Sequence, residues 1–474
     1  MSTDRPTIPT TDAAPTDPGG QGSPLAVESG GAERISLDER HGRPAQLLLT
    51  WSSPNLEFAT IFVGALGVLY FGLDFWQAAA AILVGNGLAA LAHGLLSALG
   101  PKTGLSQMMI GRRAFGAVGN LLPAGLNATV AGMGWFAVNS VSGALALSGL
   151  TGLDTLTCLL ITGVITCGIA FLGHNVIHLF ETIAFPFLLV IFLIGGAVVF
   201  AAADPGAPAE PLPGAFWIAM AASFGYTAGW TPLAADYTRY LRPDQARSAG
   251  YFAAAGNFLS STLLQLAGAA AVTAVGVAAW DHASPTDSYA GLLPGWLGTL
   301  TLLGICLGAI SANAINLYSS SLSFAALGIN LPTRFLRATL AVIVAVVGIT
   351  IAAVGLDHID SFQNFLLVTA YWIGPWLGVI LADQLTCRHS SDPAHYSSSR
   401  YRNPSGPVAM LLGAGISIWL FSNQTLYVGP IPAHWPQIGD LTFLVGFAIA
   451  FIAAVGLHRW WGHPTSEPTE PAAS

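Results

Sequence analysis

The sixteen Lys and Arg residues of this chain are confined to alternate gaps between its apolar runs, and a pattern of that kind admits few folds. Arg5, Arg34, Arg40 and Arg43 precede the first run; Lys102, Arg112 and Arg113 follow the second; Arg239, Arg242 and Arg247 follow the sixth. Arg334 and Arg337, then Arg388, Arg400 and Arg402, and last Arg459 continue the series. The opposite gaps hold acids instead: Asp204, Glu210, Asp281, Asp287, Asp357, Asp360 and Asp440. Counted as twelve spans, the runs put every cation on one side of a membrane, and the positive-inside rule makes that side, with both termini, cytoplasmic.

A chain of 474 residues with 53% apolar and only 8% charged residues cannot be a soluble globule, which carries about a quarter charged residues. It reads as an all-α polytopic membrane protein. The expected spans are 51–73, 76–99, 117–147, 152–173, 178–201, 214–236, 250–279, 293–326, 336–355, 362–384, 407–423 and 440–457. Residues 1–45 and 461–474, rich in Pro, Thr, Gly and acids, are expected to be disordered cytoplasmic tails, and the first lacks the apolar core of a secretory signal. Cys158, Cys167 and Cys306 fall within spans and Cys387 at a cytoplasmic edge, so no disulfide is expected. GxxxxGK[ST], HExxH and GxSxG are all absent, which removes the usual signatures of ATP hydrolysis and of hydrolytic enzymes. Nothing calls for a cofactor, a nucleic acid or an obligate protein partner; the bilayer is the expected surroundings.

Spans 1 and 6 look interrupted. The first has Pro54, Gly64 and Gly67; the sixth has Gly225, Gly229 and Pro232. Many carriers bind solute where two helices, at equivalent places of an inverted repeat, lose helical backbone near the bilayer midplane. The competing explanation is that these glycines only let helices pack closely. Glu57, three residues after Pro54, is a carboxylate at membrane depth, so it must face a cavity, find a partner or take up a proton; it is the candidate proton carrier, against a wetted interfacial Glu. Trp135 and Asn139, four residues apart, share a helix face and offer a stacking plane with a carboxamide beside it, which suits a planar heterocycle. Asn313 and Asn316 share a face within a Ser-rich stretch of span 8 and could read a base edge or line a cation path. His174, His178 and Glu181 have metal-ligand spacing, but they fall where two spans meet the cytoplasm, and a hydrogen-bonded turn explains them better than a metal. Asp236 with Arg239, and Asp383 with Arg388, read as ion pairs or gate contacts at cytoplasmic helix ends, or as plain orientation signals.

Five segments together resemble the purine-cytosine permeases, a branch of the nucleobase:cation symporter family. They are residues 100–116 (GPKTGLSQMMIGRRAFG), 134–139 (GWFAVN), 228–240 (AGWTPLAADYTRY), 311–323 (SANAINLYSSSLS) and 378–383 (GVILAD), in family order within 45–457. The resemblance implies twelve helices: a five-plus-five inverted repeat with broken helices 1 and 6, plus two more. Helices 1–5 would occupy 46–204, helices 6–10 205–390, and helices 11–12 391–460. It also implies that Trp135 stacks on the base beside Asn139. The break in helix 6 around Phe224, Gly225, Tyr226 and Thr227 would form a second wall, with Asn313 and Asn316 near the solute. Sodium-using relatives look to carry two adjacent hydroxyl residues where this chain has Ser311 and Ala312. One missing oxygen ligand favours a proton over sodium.

The function expected is import of cytosine and purines across the inner membrane by proton symport through alternating access, with no chemistry on the solute. Rival readings are a sodium-coupled carrier of a hydantoin, allantoin, uracil or a pyrimidine-like vitamin, a passive channel, and a membrane metalloenzyme using His174, His178 and Glu181.

Overall fold

The computed structural model describes residues 33–172, 174–327, 333–355, 359–386 and 394–461, and among these it holds helices and two isolated β-bridges but no strand. The first span breaks where Pro54 predicts. α1 (Gln46–Ser52) tightens into a 3-10 turn at Ser53–Asn55, and after Leu56 and Glu57 the chain restarts as α2 (Phe58–Leu69), bent by 62°. Proline has no N–H to give a continuing helix, and Glu57, in extended backbone, restarts it by accepting the Ala59 N–H at 3.0 Å.

α3 (Phe75–Ser97) opens on a capping box made by Asp74 and Gln77, and is followed by the short α4 (Leu99–Thr103) and by α5 (Gln107–Gly119). α6 (Leu121–Thr129) passes through a π-helical turn, Val130–Trp135, into α7 (Phe136–Thr151). Next come α8 (Thr155–Leu172), α9 (His174–Ala202) and α10 (Ala215–Ala228). A 3-10 turn at Thr231–Leu233 joins α10 to α11 (Ala234–Thr238), and α12 (Ala246–Val275), α13 (Pro285–Ala290) and α14 (Gly295–Ala326) follow. α15 (Thr333–Gly355), α16 (Ile359–Thr386), α17 (Ala394–Ser397), α18 (Ser405–Phe421), α19 (Pro430–His434) and α20 (Thr442–Trp461) complete the chain. Among the described residues seven helices are long and apolar enough to cross a membrane, eight with the bent pair α1–α2, and three shorter apolar helices accompany them.

The charge pattern reappears as two opposite faces. On the basic face Arg40 donates to the Pro101 carbonyl at 2.5 Å, the His41 N–H to Tyr240 O at 2.7 Å, and Arg112 to Ala326 O at 2.9 Å. On the acidic face the Leu212 N–H reaches Phe71 O at 3.0 Å and Asn364 donates to Thr425 at 2.8 Å. Within the expected tail, the described residues from 33 on pack on this face: Arg40 is buried, and the Ile35 N–H bonds Gly104 O at 2.9 Å.

Gly64 is a packing residue rather than a break. A methyl there would run into the Gln265 carbonyl, and one on Gly268 into the Ile61 carbonyl, so α2 and α12 meet backbone to backbone. Every residue of α2 is buried, which leaves the restarted half of span 1 at the centre of the bundle.

Candidate functional site

The π-helical turn ends on Trp135 and delivers its indole to the gap between α7, α10 and α16. The ring meets Tyr226 edge-on at 5.2 Å and Phe365 at 4.9 Å, interplanar angles 88° and 78°. Gly229 lies against the same indole: a methyl at 229 would come within 3.1 Å of Nε1. One turn along α7, Asn139 donates from Nδ2 to Asn313 Oδ1 at 3.1 Å, and Asn313 donates to Phe136 O at 3.1 Å and Ser140 Oγ at 2.9 Å. The pairing leaves Asn139 Oδ1 without a partner. Asn316, also buried, has neither carboxamide atom bonded. Unpaired amide groups away from water are costly to keep, so this side of the gap is supplied with acceptors and donors for a polar solute or for water.

The break in span 1 lies opposite. Glu57 is 1% exposed; Oε1 accepts from the Tyr226 hydroxyl at 2.9 Å while Oε2 caps α2. Thr60 donates to Asn55 O at 2.6 Å and shares a short hydrogen bond with the Tyr226 hydroxyl. Tyr226 therefore touches Glu57 with its hydroxyl and Trp135 with its ring. Gly308 of α14 packs on the Leu56 carbonyl and on Glu57, and the buried Ser311 sits one turn beyond.

The four residues expected to form one wall on helix 6 are divided by the structure. Helical backbone persists through Phe224, Gly225, Tyr226 and Thr227 and is lost at Gly229–Trp230. Phe224 stacks on Phe443 of α20 at 4.2 Å, and Gly225 lies against the Leu366 carbonyl of α16, so neither faces Trp135. Tyr226 does face it. Thr227 turns the other way and donates to Asn86 Oδ1 at 2.7 Å. The physical reason is that Gly225 is consumed by close helix contact, so the interruption falls at the next Gly–Pro pair, Gly229 and Pro232.

Sequence reasoning passed over several residues that tie the two breaks together. Trp230 donates from its indole to Asn55 Oδ1 at 2.9 Å; Asn55 donates to Ser260 Oγ at 3.0 Å; Asn257 donates to Thr227 O at 3.2 Å. Isolated Asn residues in apolar spans, such as Asn55, Asn86 and Asn257, were the available signal. Phe365 carried none, being one apolar residue among many.

A cavity of about 330 Å³ lies beside this cluster, lined by Phe58, Phe62, Gly134, Ser142, His282 and Phe365 among others, and His282 belongs to the acidic face. Its size is within the range that encloses small planar ligands. Phe365 stands between the cavity and the Trp135 ring. Toward the basic face the path is filled: Trp51 meets His93 at 4.2 Å and Tyr237 at 5.5 Å, with Trp230 at 6.4 Å. The cavity thus extends to the acidic face and is parted from the indole by Phe365, while the way to the basic face is filled.

At that sealed end Asp383, expected beside Arg388, has a buried partner on another helix. Asp383 binds Arg113 of α5, Oδ2 lying 2.6 Å from Nη2, and Arg388 lies outside the described residues. α5 packs on the basic-face end of α16 and brings this cation from the loop between spans 2 and 3. Asp236, expected beside Arg239, accepts the Gln107 N–H of α5 at 2.8 Å. Cys158, Cys167 and Cys306 are free, and Cys387 lies outside the described residues. The side chains of His174, His178 and Glu181 likewise fall outside what the structure describes.

The family described as permeases for cytosine/purines, uracil, thiamine and allantoin matches residues 34–446. The putative purine-cytosine permease YxlA of Bacillus subtilis is 26% identical over 447 residues, covering 90% of this chain and 94% of that protein. The cytosine permease of Escherichia coli K12 is 29% identical over 414 residues, covering 85% and 91%. Among solved structures, Mhp1, a nucleobase-cation-symport-1 family transporter closed around bromovinylhydantoin, superposes with a TM-score of 0.71 at 20% identity, covering 92% of this chain and 96% of that one. At that identity the likeness concerns the fold. Since the family match spans most of the chain and the relatives are permeases rather than enzymes, this protein is a multi-pass membrane transporter that belongs to the cytosine/purine permease family.

Proposed function

We propose that the protein imports nucleobases, cytosine and purines, by proton-coupled symport through alternating access. Carrying this reading is one observation: Trp135 lies one helical turn from the Asn139–Asn313 pair, beside a cavity open to one face of the bundle and closed to the other. A base is flat and has a π face for the indole, and its edge nitrogens and oxygens match carboxamides. Phe365 must swing aside for the solute to reach the ring, and closing again would occlude it. The names of the relatives support the solute class.

Glu57 is the proposed proton carrier. Its bond to Tyr226, whose ring meets Trp135, runs from the titrating carboxylate to the stacking plane in two contacts. Protonation removes the negative charge that the Tyr226 hydroxyl serves, so charge at Glu57 and solute at Trp135 are coupled through one side chain. Ser311 followed by Ala312 offers a single hydroxyl for a cation, which supports the proton. The sodium-coupled alternative, a carrier of a hydantoin, allantoin, uracil or a pyrimidine-like vitamin, draws on the nearness of the Leu56 carbonyl to the Ser311 turn of α14.

The basic face is taken as cytoplasmic and the membrane as the plasma (inner) membrane. The chain is read as twelve crossings, with 46–204 and 205–390 as the inverted repeats and 391–460 as the last two helices. Uptake into vesicles under an imposed pH gradient tests the whole reading. Labelled cytosine should accumulate equally in sodium and in choline buffer, and competition by adenine, hypoxanthine, uracil and allantoin ranks the solutes. Strict sodium dependence would replace the proton, and equilibration without counterflow would make the protein a channel.

A further inference from the structure

We infer that Asp236 is the latch that keeps the basic face closed, acting as a positioning residue for the change of access; this rests on the alternating-access reading above. α5 is a helix whose own N-cap residue, Ser106, makes no side-chain capping bond. Its first free N–H, on Gln107, is taken instead by the carboxylate of Asp236 at 2.8 Å, from a segment 129 residues away in sequence. A carboxylate at a helix N-terminus bonds an orphan donor and meets the positive end of the helix dipole.

The two ends of this bond belong to different groups of helices. α5 is bolted to α14, α16 and the stretch before α18: Arg112 donates to Ala326 O at 2.9 Å, Arg113 pairs with Asp383 at 2.6 Å, and the Tyr401 hydroxyl and Asn403 donate to Arg113 O at 3.0 and 3.1 Å. Asp236 rides on α11, the continuation of broken span 6. α11 is tied to α3 and α4, with Thr238 donating to Ser97 O at 2.8 Å and Gly100 of α4 packed against Thr238. A solute leaving toward the basic face has to pass between these groups, so the Asp236–Gln107 bond must break.

The surroundings are set for breakage. The Gln107 carboxamide and the Ser106 hydroxyl are buried beside the bond, and neither has a partner. Water entering as the groups separate would satisfy both, along with the released N–H and carboxylate. The latch therefore holds while the end is dry and yields once it is wet.

Two substitutions remove opposite halves. Asp236→Asn takes away the charge. Gln107→Pro deletes the donor together with the carboxamide beside it and leaves the helix start intact, because proline is favoured at the first position of a helix and Ser106, at φ −68° and ψ 158°, already has the conformation that precedes one. In the full-length protein in vesicles, with the native cysteines replaced, Val141→Cys reports the cavity and Ser323→Cys, buried on the basic side of α14, reports the other end. Each variant should shift the outward-to-inward ratio on the order of tenfold, as expected of one charge-assisted cap. Labelling by a membrane-impermeant maleimide then falls at 141 and rises at 323 when applied from the respective side, and the double variant shifts no further than either single one. Unchanged labelling at both sites, a rise at both, or additive shifts would overturn the latch. Counterflow of labelled cytosine by the unsubstituted protein, measured in parallel, tests the carrier reading by itself.

Discussion

Replacing Trp135 by leucine isolates the stacking plane. Stacking of one base on an aromatic side chain is worth about 1–3 kcal/mol by substitution, so Trp135→Leu should weaken cytosine binding by about 5- to 150-fold. The same change removes the edge contacts with Tyr226 at 5.2 Å and Phe365 at 4.9 Å. Each is worth about 0.5–1.5 kcal/mol, so the protein should also unfold at a lower temperature, while leucine keeps the site apolar and most of it filled. Binding and folding are separated by measuring equilibrium binding of labelled cytosine in nanodiscs alongside thermal unfolding without solute. Trp135→Phe should lie between the two, since phenylalanine keeps a ring. A π face carries no base identity, so the affinity ratio of adenine to cytosine should change little in Trp135→Leu, whereas Asn139→Leu or Asn313→Leu should change it. A folded Trp135→Leu protein with unchanged affinity refutes the stacking role; a large change in base preference would show that the indole reads the edge instead.

Three further outcomes follow from named contacts. Uptake by the unsubstituted protein should fall as pH rises and the Glu57 carboxyl empties, and Glu57→Gln, permanently neutral, should flatten that profile in vesicle assays; an unaltered profile makes Glu57 a structural cap. Arg113→Ala leaves Asp383 buried without its cation and should cost about 3–5 kcal/mol, read as lost thermal stability, whereas Arg113→Met with Asp383→Leu should recover most of it. Gly268→Ala should destabilise by about 1–3 kcal/mol, because its methyl meets the Ile61 carbonyl, while Gly456→Ala, with open space around it, should melt like the parent protein.

Much of the architecture was legible because the relevant physics is local. Apolar run lengths and the partition of Lys and Arg between gaps are properties of short segments, and they place helices and faces without reference to neighbours. The break at Pro54 is local as well, since a missing N–H ends a helix in any surroundings. Trp135 and Asn139 were recognisable as a pair because spacing of four on one helix holds wherever the helix packs.

The direction of each side chain on span 6 was not legible. Consecutive residues on a helix turn by about 100°, so Phe224, Gly225, Tyr226 and Thr227 point four ways, and a pattern of letters cannot say which way is inward. Only packing did: Phe443 took Phe224, the Leu366 carbonyl took Gly225, Trp135 and Glu57 took Tyr226, and Asn86 took Thr227. Glycine shows the same ambiguity, for Gly64 and Gly225 serve close approach while Gly229 precedes a real break. The partner of Asp383 and the placing of Phe365 over the indole likewise came from segments distant in sequence. Local chemistry determined that this chain spans a membrane and that its first span yields at Pro54; where span 6 breaks and which residues converge at the centre were decided by contacts between helices, because only the assembled bundle determines the neighbour each face meets.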